Sequence, residues 1–102
     1  MIVHDRERRQ FRADLGRYHA VLMYARKRDH LDFYHIYVPD PYRKTGLAGR
    51  LLRFAYEYAL KENCRVIATC PFIAGDFLDR FPQYRALTIP GDFPFACDAE
   101  ND

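Results

Sequence analysis

The strongest constraint in this sequence is a change of hydrophobic period at Pro39-Asp40-Pro41. Ahead of it, the apolar stretches are short and strand-like; behind it, apolar residues recur every third or fourth position. The first pattern marks strands and the second an amphipathic helix. Proline cannot donate to a sheet ladder, so the chain must leave the sheet at this point. A strand meander feeding one long helix is the simplest fold that satisfies both halves.

Within the first half, Phe11, Ala13 and Leu15 alternate with Arg12 and Asp14, and Gly16 marks a tight reversal. The stretch Arg17 to Lys27 is apolar on both parities, which predicts a strand covered on both faces. After a polar turn, Leu31 to Val38 forms a third strand, with Leu31, Phe33, His35 and Tyr37 expected on one face and Asp32, Tyr34, Ile36 and Val38 on the other. Short turns between consecutive strands imply an antiparallel meander.

The helix begins near Thr45 and runs to about Glu62-Asn63, burying Leu47, Ala48, Leu51, Leu52, Ala55 and Ala59 while Arg53–Glu57 and Glu57–Lys61 pair on the solvent side. Arg65 to Thr69 reads as a fourth strand, and strand–helix–strand order makes it a parallel neighbour of the third. A second short helix follows through Ile73, Phe77, Leu78 and Phe81, ended by Pro82, with Gly75 weakening it by about 1 kcal/mol. The expected class is mixed α/β. Residues 1–9 read as a flexible N-terminus, 10–88 as the domain and 89–102 as a C-terminal tail.

With 102 residues, 49% of them apolar, the chain has material for one core and no second domain. Its longest apolar run, Ala20 to Ala25, falls far short of the ~20 residues a membrane span needs, and the first residues carry no apolar leader. Cys64, Cys70 and Cys97 form an odd set and read as free thiols in a reducing compartment, so a cytoplasmic, non-membrane protein is expected. No short His or Cys spacing indicates a metal, and a serine triad is impossible because the chain contains no serine. The net charge of +2 conceals a basic middle and an acidic C-terminal third. That basicity is too modest, and too free of recognised motifs, to make nucleic acid the expected partner.

Between the third strand and the helix lies Arg43-Lys44-Thr45-Gly46-Leu47-Ala48-Gly49. The first amides of a helix have no intrahelical partner, and the helix dipole adds about half a positive charge there. Small residues leave the backbone approachable, and Arg43, Lys44 and Arg50 add formal charge. Such an entry suits a phosphate or pyrophosphate, and equally it is what any glycine turn before a helix looks like. It lacks the Gly-Lys-Ser/Thr ending of a Walker loop and the G-x-G-x-x-G of a dinucleotide fingerprint.

Arg43-x-x-Gly46-x-Ala48 resembles the R/Q-x-x-G-x-G/A acetyl-coenzyme-A signature of the GNAT N-acetyltransferase superfamily. The wider layout is similar to the short, single-domain GNAT-like N-acetyltransferase branch: Phe11, Gly16, Ala20-x-Leu22-x-Tyr24, His35-x-Tyr37-Val38-Pro39 and Val66-x-x-x-Cys70. Pro71 after Cys70 departs from the small polar residue expected there. The resemblance implies a truncated GNAT-like fold whose third and fourth strands splay. The diphosphate would rest on Arg43, Lys44, Thr45, Gly46, Leu47, Ala48 and Gly49, and a pantetheine arm would bond main chain near Tyr37 and Val38, much as a peptide adds to a strand edge.

His35, near the strand's end, is a candidate base, and Cys70 a candidate acid or acyl carrier. The resemblance implies the same pair; as plain structure they would be a hydrogen-bonded histidine and a small buried hydrophobe. Tyr37 and Tyr84 are alternative acids. The function expected is acetyl transfer from acetyl-CoA to an amine of a small molecule or protein. The alternative is a non-catalytic CoA-binding or interaction module of the same fold. Exposed aromatics are compatible with a homodimer. A β-branched residue at Gly46 is expected to block approach to the amides while leaving the fold largely intact.

Overall fold

Alternation does build the meander. In the computed structural model, which describes residues 2–90, β2 (Gln10–Leu15), β3 (Tyr18–Arg26) and β4 (His30–Tyr37) are antiparallel neighbours. The prolines end β4 as expected, and the chain crosses through a 3-10 turn at Asp40–Tyr42 into α1 (Leu47–Lys61). β5 (Arg65–Ala68) then pairs with β4 in parallel.

Both ends of the sheet run further than the sequence pattern indicates. Residues 2–5, expected to be flexible, form β1 (Ile2–Asp5), antiparallel to β2. The polar segment is held because His4 stacks on Phe11 at 4.3 Å, and its Nε2 lies 2.6 Å from the Tyr24 hydroxyl. At the other end, Thr88–Pro90 forms β6, parallel to β5, so the boundary drawn at residue 88 falls inside a strand. The rest of the expected tail lies outside the described residues. The strand order is β1-β2-β3-β4-β5-β6.

Helix α1 covers one face of this sheet. Leu47, Ala48, Leu51, Leu52, Ala55, Tyr56 and Ala59 are buried against Phe11, Ala13, Ala20, Leu22, Leu31 and Phe33. Each fully buried Leu or Phe side chain contributes about 1.5–3 kcal/mol. In β3 only Ala20, Leu22 and Tyr24 are buried; Val21, Met23 and Ala25 are half-buried on the opposite face. The expectation of a strand covered on both faces is therefore corrected: its apolar run packs α1 with one parity only.

The helix ends in a Schellman motif. Asn63 takes φ 56°, its amide bonds Leu60 O and the Cys64 amide bonds Ala59 O at 2.8 Å. The second helix is present in altered form: a π-helical turn at Ile73–Phe77 runs into a single α turn, α2 (Leu78–Arg80), and then a 3-10 segment at Pro82–Leu87. Its Phe77 and Tyr84 rings stack with Tyr56 at 5.4 and 4.8 Å, extending the core under β5 and β6.

Candidate functional site

Strands β4 and β5 part company inside the sheet. Their pairing covers His30–Arg65, Leu31–Val66, Asp32–Ile67 and Phe33–Ala68; β5 then ends while β4 continues to Tyr37. At the parting point the amides of Thr69 and Cys70 both donate to the Phe33 carbonyl, at 3.2 and 3.4 Å. The cause lies in β4 itself. On β3, Tyr24 pairs with Phe33 and Met23 with His35, so Tyr34 is one extra residue in β4. Such a β-bulge bends its strand and raises its twist, which carries the far half of β4 out of line with β5.

The bulge also resets which residues face the core. Leu31 and Phe33 are buried, and beyond Tyr34 the buried positions become Ile36 and Val38, while His35 is half-buried and Tyr37 is 38% exposed. Unbroken alternation would keep His35 and Tyr37 with Leu31 and Phe33; that expectation is corrected. His35 and Cys70 each lie two residues beyond the last β4–β5 pair, on the two diverging chains. The cysteine is 1% exposed, and Cys64 is buried as a free thiol. The free-thiol expectation thus holds for Cys64, while Cys97 lies outside the described residues.

Directly after β4 comes the glycine-containing loop. Arg43 turns back on it: its Nε donates to the Val38 carbonyl at 2.9 Å and lies 3.4 Å from Asp40 Oδ1. That bond engages one of the two backbone groups of Val38, and Val38 itself is fully buried. The Thr45 hydroxyl donates to the Tyr42 carbonyl, closing the turn. Lys44 and Gly46 both adopt positive φ, 65° and 82°, before the chain enters α1. The first bond of the helical ladder runs from the Arg50 amide to the Gly46 carbonyl, so the amides of Leu47, Ala48 and Gly49 precede it. Leu47, Ala48 and Gly49 are all buried, Ala48 completely, and the half-buried Gly46 is the accessible backbone at the mouth of the turn.

A left-handed residue followed by a helical one turns successive N–H groups toward a common point, an anion-binding concavity. Gly46 and Leu47 have that geometry. A Cβ on Gly46 would meet nothing within 4 Å, so glycine is needed there for its backbone angle and not for space. A Cβ on Gly49 would touch only Phe81 Cε2, at 3.7 Å, inside the protein. The expectation that replacing Gly46 spares the fold is accordingly revised, because a substituted residue would pay for a left-handed φ. Exposed Lys44 and Arg50 stand beside the concavity.

Tyr84, the alternative acid, donates its hydroxyl to Glu57 Oε2 on α1 at 2.8 Å, and burial raises its pKa. It is engaged on the helix rather than at the fork. Sequence reasoning passed over Asp32 and Thr69, whose side chains bond at 2.6 Å just below the fork. Among the described residues no group of three or more His, Cys, Asp or Glu side chains is placed to hold a metal, and no helix is long and apolar enough to cross a membrane.

A six-stranded mixed sheet with a forked parallel pair and a glycine turn entering the helix after the fork defines a truncated acyltransferase architecture. Residues 10–87 match the family model of the GCN5-related N-acetyl-transferases, and the chain belongs to that family. Among its relatives is the protein NATD1. The Bos taurus protein is 39% identical over 87 residues, covering 81% of this chain and 77% of the relative; the Homo sapiens protein is 37% identical with the same coverage. The Xenopus tropicalis protein is 36% identical, covering 81% of this chain and 80% of the relative.

Proposed function

We propose that this chain transfers an acetyl group from acetyl-CoA to an amine. The observation that carries the reading is the placement of the Gly46–Leu47 turn: it opens α1 immediately after the strand that bends away from β5. A diphosphate fits this turn on two physical grounds: the left-handed Gly46 followed by helical Leu47 turns their N–H groups toward a common point, and the helix dipole with Lys44 and Arg50 supplies positive potential. Arg43, tied to Val38, fixes the loop to the end of β4. Tyr37 and the main chain of Val38 flank the fork where an extended arm would lie.

Acetyl-CoA, when bound, supplies a thioester-activated acyl group. The chain's own residues then orient the acceptor and manage its protons. His35, at the open end of β4, accepts the proton of the attacking amine on an imidazole nitrogen. Cys70, across the fork, is the candidate donor toward the departing sulfur, a role that requires its reduced thiol.

Thermal melts with acetyl-CoA, CoA and ATP test the binding half: ligand at 100 times its dissociation constant adds about 2.7 kcal/mol. Both CoA forms should shift the melt more than ATP. Thiol release with amine acceptors, under reducing conditions, tests turnover. His35→Ala and Cys70→Ala should lose release while keeping the melt shift. A CoA-dependent shift with no release from any amine would identify a binding module instead, and no shift with either CoA form would refute the assignment.

A further inference from the structure

We infer that Asp32 selects an acceptor bearing a cationic group apart from its reacting nitrogen, such as an alkyl diamine or polyamine; this rests on the acetyl-transfer reading above. Asp32 lies on β4 one position before Phe33, the last residue paired with β5, on the sheet face that α1 does not cover. One strand residue spans about 3.3 Å, so a short alkyl chain reaches from this carboxylate to the fork.

The surroundings of this carboxylate combine apolar strand neighbours with a neutral hydrogen-bond donor. Its cross-strand neighbours are Ala25 on β3 and Ile67 on β5, both apolar. Its hydrogen bond comes from a neutral donor, the Thr69 hydroxyl, and Thr69 is itself only 7% exposed. Several aspartates elsewhere in the fold are paired with cations: Asp5 with Arg8 and Arg12, Asp14 with Arg12, Asp40 with Arg43, Asp79 with Arg85. Among the described residues no cation lies within ion-pair distance of Asp32, and the nearest imidazole along the strand, His30, is 2.7 Å from Asp29 Oδ1. No ion pair among the described residues neutralises this half-buried carboxylate, so it can still take a cationic partner. Thr69 fixes its orientation at the point where the two strands separate. An ammonium is the complementary ligand, and the adjoining fork is where the reacting amine would sit.

The charge can be removed without the contact. In Asp32→Asn the amide oxygen still accepts from Thr69, so the β4–β5 clasp persists. The experiment compares thiol release with 1,4-diaminobutane and with n-butylamine, which has the same carbon chain and no second cation. The wild-type protein should favour the diamine in kcat/KM by about five- to tenfold, the scale of one partly screened ion pair. Asp32→Asn should bring that ratio close to one, with butylamine turnover and the acetyl-CoA melt shift retained. A purely structural role for Asp32 would move both amines together and leave the ratio unchanged, overturning the inference. Equal use of the two amines by the wild-type protein would also overturn it. Absence of an acetyl-CoA melt shift in the wild type would instead bring down the proposed activity, and this inference with it.

Discussion

Replacing Gly46 separates what the fold needs from what the ligand needs. Gly46 sits at φ 82° with open space around its missing Cβ, so alanine meets no atom there. The whole folding cost is therefore the left-handed backbone, about 1–2 kcal/mol for an L-residue. For a chain of this size that lowers Tm by roughly 4–16 °C, since 1 kcal/mol corresponds to about 4–8 °C. A β-branched residue adds side-chain crowding at the amides on top of that cost. Gly49→Ala is the matched control: its Cβ would face Phe81 at ordinary contact distance inside the protein, and alanine is the better helix former. The assay is urea unfolding of each variant with and without acetyl-CoA. Gly46→Val should be destabilised without ligand and lose most of the ligand-induced gain; Gly49→Ala should keep both near the wild-type values. If Gly46→Val retains the full acetyl-CoA gain, those amides do not hold the diphosphate. If it folds as stably as the wild type, the backbone argument is wrong.

Two further outcomes concern the sheet and its aromatic core. Burial, with the Arg6 charge beside it, holds the His4 pKa below its ordinary 6.5. The folded state therefore favours neutral imidazole; its contribution is complete above pH 6.5 and is lost as pH falls toward the folded value. His4→Gln should flatten that part of the stability–pH curve, as urea midpoints between pH 4 and 8 would show. Burial pushes the Tyr56 hydroxyl up to about 12, while an unfolded phenol titrates near 10. Stability tied to Tyr56 is thus intact below pH 10 and disappears as pH rises toward 12. Tyr56→Phe, which gives up the 2.7 Å hydrogen bond to Thr88 Oγ1, should cost about 0.5–1.5 kcal/mol at neutral pH and remove that alkaline loss. An unchanged alkaline midpoint would contradict the assignment.

What the linear sequence settles here is whatever is local. Helix α1 is legible because its apolar stripe repeats within a turn or two and its end carries Glu62-Asn63, and the observed Schellman motif uses that asparagine. The meander and the glycine turn into α1 are legible for the same reason, as is the family resemblance built on Arg43, Gly46 and Ala48. The fork is legible only as an implication of that resemblance. Its physical cause, one unmatched residue at Tyr34, exists only relative to β3, and that registry turns His35 and Tyr37 away from the face that alternation predicts. β1 is hidden because its polar His4 is stabilised by Phe11 and Tyr24, residues far along the chain, and β6 because three residues carry no periodicity. Asp32 and Thr69, 37 positions apart, meet only when two strands are laid side by side. Periodicity and capping are short-range energies written into neighbouring residues; strand registry and the pairing of distant polar groups are settled by which surfaces pack together, and that decision belongs to the folded chain.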